Sequence, residues 1–426
     1  MALFGRKKNI APPPVPDPAP RLPEPPSMGP LGLRTVAAQR QYVLSMTEPL
    51  VPFGMQLLDA WGLSLCEDLK ADGDLPPVAQ AECDGFAIVA DDLGGAEAPE
   101  GMRLSIRRDL YKVGAAVPVL AGQALPEGAD AVLPMAHVEE DAGEITVADQ
   151  VRVGDNIRQI GADAADGEVL VESGRRLDAR IIGLLAGAGF DKVFCRPRPR
   201  VVVLAVGEHR PGGGEIDSSA SQRRDAASHM VAAAAKADGA QVWREVVPGD
   251  DPAAVAEAVS DQLIRADLMI VCGGVVGGDA GLMAQALEGL GPAEFCEVAM
   301  EPGGQFGFGL IGQDDVPMLM MSSAPTAAYV SYQLFARPMI RTLLGAQRIY
   351  PEPVGCMLDE DLPAEKDVFQ LLPGRLVPRM DSLHVRPLSG AGGLDVLTDA
   401  DVLIVLPDDV GSAKAGEPVI CWHTDD

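Results

Sequence analysis

Two glycine-rich turns hold the residues best suited to chemistry. The first, Gly207-Glu-His-Arg210 and then Gly212-Gly-Gly-Glu-Ile-Asp-Ser-Ser219, follows the apolar run Val201 to Val206. Glu208 and Asp217 are hard oxygen donors that suit a cation such as Mg²⁺, and Asp250 and Asp251 stand at the end of a later apolar run. A solvated acidic loop has the same composition, so the residues alone leave both readings open. His209 suits a general base, a metal ligand or an ordinary surface imidazole. The second turn, Gly273-Gly-Val-Val-Gly-Gly-Asp-Ala-Gly281, follows Leu268-Met-Ile-Val-Cys272 and leads to a helix expected to begin near Asp279. Exposed N–H groups in such a turn can hold a phosphate or oxyanion, although a plain tight connection uses the same glycines. The spacing is neither G-x-G-x-x-G nor a P-loop, because no Lys-Ser/Thr follows. Ser322-Ser323 before Ala324-Pro325 ends another apolar run, but no nucleophile elbow or activating His marks it, so hydrolase chemistry has no support.

The elements that position these turns are short apolar strands alternating with amphipathic helices from Pro199 to Gly345. That pattern predicts a parallel sheet covered on both faces, with its ligand at the carboxyl ends of the strands. Around it, 426 residues predict several domains. Residues 1–30 are proline-dense and read as a disordered tail, whose Phe4 and Arg6-Lys7-Lys8 suit either weak docking or plain solvation. Thr35 to Val51 and Phe53 to Leu69 read as helices. Short strands are expected around Phe86, Leu104, Val132 and Ile145. Ala179 to Gly189 reads as a helix ending on glycine, and residues from Ile349 onward as a small β-barrel-like domain.

A net charge of −28 argues against nucleic acid and anionic membrane as partners. No apolar run is long enough to span a membrane, and no signal-peptide pattern appears. Seven scattered cysteines without a C-x-x-C pair read as reduced, buried residues of a cytoplasmic protein.

Several motifs occur in a characteristic order: Leu75-Pro-Pro77, Asp84-Gly-Phe-Ala-Ile88, Ala121-Gly-Gln-Ala-Leu-Pro-Glu-Gly-Ala-Asp-Ala-Val132, Gly154-Asp-Asn-Ile-Arg158, Gly273-Gly-Val275 and Gln333-Leu-Phe-Ala-Arg-Pro338. From about residue 31 to the C-terminus the chain resembles the MoeA/gephyrin family of molybdopterin molybdenumtransferases. The resemblance implies a multidomain α/β fold with four domains after the tail. These are a discontinuous helical domain from 31–55 and 150–195, an inserted β-rich domain at 56–149, a molybdopterin-binding-type α/β domain at 196–345, and a C-terminal β-barrel at 346–426. It also implies a homodimer whose sites combine the α/β domain of one subunit with the first two domains of the other. The family reaction inserts molybdate into adenylylated molybdopterin with Mg²⁺ and releases AMP.

Carried over residue by residue, the resemblance keeps Asp84 and Asp163 as catalytic candidates. Gly207, Glu208, Asp217, Ser218, Asp250, Gly273, Gly274 and Pro325 remain for the cofactor, with Glu208 and Asp217 for metal. Other positions depart from the family pattern. Thr is Ala121, an acid is His209, both serines around Gly273 are Cys272 and Val276, an Asp aligns with Gly281, and an Asn is Ala324. K-P-G-K-P has become Glu301-Pro-Gly-Gly-Gln305. Charge-assisted hydrogen bonds contribute about 1.5–3 kcal/mol each, so losing two lysines weakens anion binding by on the order of 10² to 10⁴. The expectation is a catalytically impaired scaffold or interaction protein, linked to cell division or membrane receptors through its tail or C-terminal domain and recruited to membrane by a partner. The alternative is molybdenum insertion itself.

Overall fold

The computed structural model describes residues 22–93, 102–109, 112–147, 151–207, 225–248, 251–275, 281–379, 382–388 and 394–424. It divides into two compact units, one formed by the chain up to Val51 with Arg196 onward, the other by Pro52–Cys195.

Within the 52–195 unit, a six-stranded sheet has the order 131–134, 85–88, 115–119, 102–106, 144–147, 138–141. Its buried face is made by Phe86, Ile88, Leu104, Leu133 and Ile145, so the strands expected around these residues form. The helix expected from Phe53 to Leu69 does not. Phe53–Gln56 is a strand paired antiparallel with Lys192–Cys195. Gly62, at φ +79°, then turns the chain out of any helical path. The expected helix near 179 does form, as Ala179–Gly187. Asp178 Oδ1 accepts from the N–H groups of Arg180 and Ile181 at its start, and Gly189 takes positive φ beyond its end.

The other unit begins with α1, Val36–Ser45, where Thr35 Oγ1 accepts the N–H of Ala38. Tyr42 of α1 packs edge-on against Phe308, ring centroids 6.0 Å apart. The α/β sheet runs β1 (Arg200–Gly207), β2 (Gln241–Pro248), β3 (Leu268–Cys272), β4 (Ala293–Glu297), β5 (Gln305–Ile311) and β6 (Val316–Met321), in the order β2-β1-β3-β6-β5-β4. Helices α2 (Ala227–Ala237), α3 (Pro252–Leu263) and α4 (Gly281–Leu287) connect its first strands. The sheet is mixed, which corrects the expected all-parallel one. β2, β1, β3 and β6 are parallel, whereas β5 runs antiparallel to both of its neighbours, β6 and β4. The link from β5 to β6 passes through Gly312 and Asp315, both at positive φ, and is far too short for a crossover helix. After β6 the chain enters α5 (Pro325–Ser331), a π turn at Tyr332–Ala336 and α6 (Arg337–Leu343). Arg337 Nε donates to Asp238 Oδ1 at 3.0 Å in the buried space beside them.

The expected C-terminal barrel is present. Strands 369–378, 383–387, 353–358, 418–423 and 402–406 pair in that order, and 402–406 closes back on 369–378. Closure leaves these five strands without a free edge around the core of Leu358, Val385, Val402 and Ile404. All seven cysteines are free, as expected. Among the described residues, no helix is long and apolar enough to cross a membrane.

Candidate functional site

Parallel strands β1, β3 and β6 end together, and the second glycine-rich turn is built on their ends. Gly273 has φ +109°, and a Cβ there would lie 2.0 Å from the carbonyl oxygen of Val206. Its N–H donates to Met321 O at 2.8 Å, tying the end of β3 to the end of β6. Gly274 also has positive φ, and its Cβ would press on Met283. Both glycines are therefore demanded by the backbone. Beside them, Ser323 lies 3.6 Å from the Cβ position of Gly273, and Ser322 Oγ accepts the N–H of Ala324 at 3.1 Å just before Pro325 opens α5. Gly207, Gly273, Gly274 and Pro325 thus stand at one sheet edge.

A neighbouring loop closes against this edge. The Cβ position of Gly303 falls 2.6 Å from Ala327 Cβ, and that of Gly304 falls 2.5 Å from Val298 O. Glu301, at the start of the loop, is exposed. Burial pushes the Cys272 thiol, at the end of β3, up to about 12, so it is an inert side chain.

Asp225, Ser228 and Arg244 form a network the sequence did not reveal. Arg244 Nη2 donates to Asp225 Oδ2 and Nε to Ser228 Oγ, each at 2.7 Å, and Ser228 Oγ donates to the same carboxylate. Burial opposes ionisation, but the bonds from Ser228 and Arg244 prevail and hold the Asp225 carboxyl below its ordinary range. The Arg244 guanidinium is thereby committed to Asp225.

The second group of candidates lies in the 52–195 unit. Asp84 Oδ1 accepts the N–H of Ala121 at 2.8 Å. The following Gly85 is obligatory, because a Cβ there would lie 1.9 Å from Leu133 O. Asp163 pairs with Arg158, and its N–H donates to Leu75 O at 2.8 Å. Ile157–Arg158 pairs with Gln80–Ala81, so one short ladder carries the segments that lead to both acids.

Glu208, His209, Asp217, Ser218, Asp250, Val276 and Asp279 lie outside the described residues. Among the described residues, no group of three or more His, Cys, Asp or Glu side chains is placed to hold a metal ion.

A hydrogen-bonded Ser-His-Asp chain stands apart, in the barrel. His384 Nδ1 lies 2.9 Å from Asp359 Oδ1, and Nε2 lies 3.1 Å from Ser382 Oγ. Arg379 and Arg386 share the same buried carboxylate. Asp359, just after the strand 353–358, thereby ties that strand to Arg379, His384 and Arg386.

The fold and this edge define a class: a multidomain protein with a molybdopterin-binding-type α/β domain and a closed C-terminal barrel. Family models match in order along the chain: the MoeA N-terminal region (domain I and II) at residues 34–189, the probable molybdopterin binding domain at 203–342, and the MoeA C-terminal region (domain IV) at 357–422. The chain is 30% identical over 424 residues to molybdopterin molybdenumtransferase 1 of Mycobacterium tuberculosis, covering 91% of this chain and 98% of that one. It is 27% identical over 372 residues to molybdopterin molybdenumtransferase of Bacillus subtilis, covering 83% and 86%. The fold matches the molybdopterin biosynthesis MoeA protein of Pyrococcus horikosii with TM-score 0.72 at 23% identity, over 92% and 99% of the two chains. The chain belongs to the MoeA family, as its motifs implied.

Proposed function

We propose that the protein acts in molybdenum cofactor biosynthesis, inserting molybdate into adenylylated molybdopterin with release of AMP. One observation carries this reading: the chain matches relatives named molybdopterin molybdenumtransferase over nearly their whole length. The obligatory glycines at the sheet edge and the Asp84–Ala121 bond give it a physical basis. In this reading Asp84 and Asp163 do the chemistry. Gly207, Glu208, Asp217, Ser218, Asp250, Gly273, Gly274 and Pro325 face the pterin nucleotide, and Glu208 and Asp217 hold Mg²⁺. The test is cofactor formation from purified protein, adenylylated molybdopterin, molybdate and Mg²⁺, read as AMP release. No AMP above a protein-free control overturns the proposal.

A non-catalytic scaffold is the second reading, and Gly304 favours it. A Cβ at this position would meet backbone, so the missing lysine is more than a side-chain exchange. Glu301 is exposed, so Glu301→Lys tests the pocket without moving the backbone. Ligand binding without turnover would support this second reading.

The four-domain division at the expected boundaries belongs to the same proposal, as do a cytoplasmic location and a homodimer. The helix Ala179–Gly187 supports the dimer. It buries only Leu185, and Leu184, Leu58, Trp61 and Phe194 of the same unit are exposed. A monomeric mass by light scattering would count against the dimer.

A further inference from the structure

We propose that Arg34 is a positioning residue that sets the backbone of residues 298–304 at the candidate site. The proposal rests on the reading that this sheet edge takes the ligand. Arg34 is 5% exposed. Its Nη1 donates to Glu294 Oε1 at 2.7 Å and its Nη2 to Glu294 Oε2 at 3.1 Å, a two-pronged pair across 260 residues of sequence. Nη1 also donates to Gln39 Oε1 at 2.9 Å.

The backbone of Arg34 grips the same strand further along. Its N–H donates to Glu297 O at 3.0 Å, and its carbonyl accepts the N–H of Ala299 at 2.7 Å. Val298 is thus held on both sides. Its own N–H donates to Gly304 O at 2.8 Å, and its carbonyl is the oxygen that leaves Gly304 no room for a Cβ. Gly303 then packs on Ala327, two residues after Pro325, and Ser323 lies beside Gly273. An unbroken series of contacts therefore runs from Arg34 through Val298, Gly304 and Gly303 to the strand ends.

The chemistry of the pair favours positioning over stability. Apolar side chains of similar volume often stabilise such a space as well as a buried ion pair does. Arg34 Nε and Gln39 Nε2 also find no partner among the described residues. What the guanidinium supplies is geometry: a planar fork that fits one orientation of the carboxylate, which a lysine ammonium cannot reproduce.

The test compares the full-length protein with Arg34→Met and Arg34→Lys by hydrogen–deuterium exchange and by binding of AMP. Arg34→Met is expected to speed exchange at residues 298–304 about tenfold or more, leave the barrel strands 383–387, 402–406 and 418–423 and residues 52–195 unchanged, and weaken AMP binding. Arg34→Lys, which keeps the charge and loses the fork, is expected to speed exchange in the same segment. Unchanged exchange at 298–304, or a uniform rise across the whole unit, overturns the proposal. If Arg34→Met fails to fold, Glu294→Gln reads the same pair from its other end. Failure of the unsubstituted protein to bind AMP would overturn the ligand reading while leaving the exchange result to decide the positioning role.

Discussion

Gly273 and Asp84 separate two demands on a single residue, one made by the backbone and the other by the proposed chemistry. Gly273 is a backbone requirement, with positive φ and a carbonyl where its Cβ would stand. Gly273→Ala should cost about 3 kcal/mol. Gly416→Ala, also at positive φ but in open space, should cost about 1–2 kcal/mol. Equilibrium urea unfolding of the two variants checks the difference, and equal losses would show that the contact with Val206 is relieved by small shifts. Asp84 is the reverse case. Its side chain accepts one exposed backbone N–H, so Asp84→Ala should cost only about 1 kcal/mol of stability. If Asp84 takes part in proton transfer, AMP release should nevertheless fall by about 10²-fold or more. A stable variant with unchanged turnover would remove Asp84 from the chemistry.

At the scale of elements, the start of α2 carries a pH dependence whose sign can be worked out. Asp225 Oδ1 accepts the N–H of Ser228 while its other oxygen takes Arg244. Its carboxyl titrates lower in the folded than in the unfolded chain. The stability it contributes is therefore complete above the ordinary carboxyl range and lost as pH falls through the lowered folded value. Asp225→Asn should remove that part, so the gap in unfolding free energy between the two proteins should narrow on acidification below about pH 4. A gap independent of pH would show that Asp225 acts through shape alone. Strands β1 and β3 were legible because both faces are buried, which leaves nearly unbroken apolar runs. The turn to β6 was not, since Gly312 and Asp315 mark a hairpin only once the register is known. The apolar residues between Phe53 and Leu69 mimicked a helix, although Leu58 and Trp61 are exposed and Gly62 breaks the path. At the site, the glycines were readable because close approach admits no other residue. The Arg34–Glu294 pair was invisible because its halves meet only after folding.

For the whole molecule, the decisive quantity is charge. A net −28 repels an anionic pterin nucleotide before any local contact forms. Among the described residues near the strand ends, Arg244 is spent on Asp225 and exposed Glu301 adds to the repulsion. A typical anion site with free lysines loses affinity as salt screens its attraction. Here the screened interaction is repulsive, and the Debye length falls from about 30 Å at 0.01 M salt to about 8 Å at 0.15 M. Association with AMP should accordingly become faster, and its affinity higher, as salt rises over that interval. Glu301→Lys should tighten binding at low salt and flatten or reverse the trend, because it exchanges a negative for a positive charge at the mouth of the loop. Stopped-flow binding across the salt series separates the two proteins. If the unsubstituted protein instead binds AMP more weakly as salt increases, a local cationic surface must outweigh the field of the whole chain. Glu301 and Gly304 would then border a pocket whose cations come from other residues.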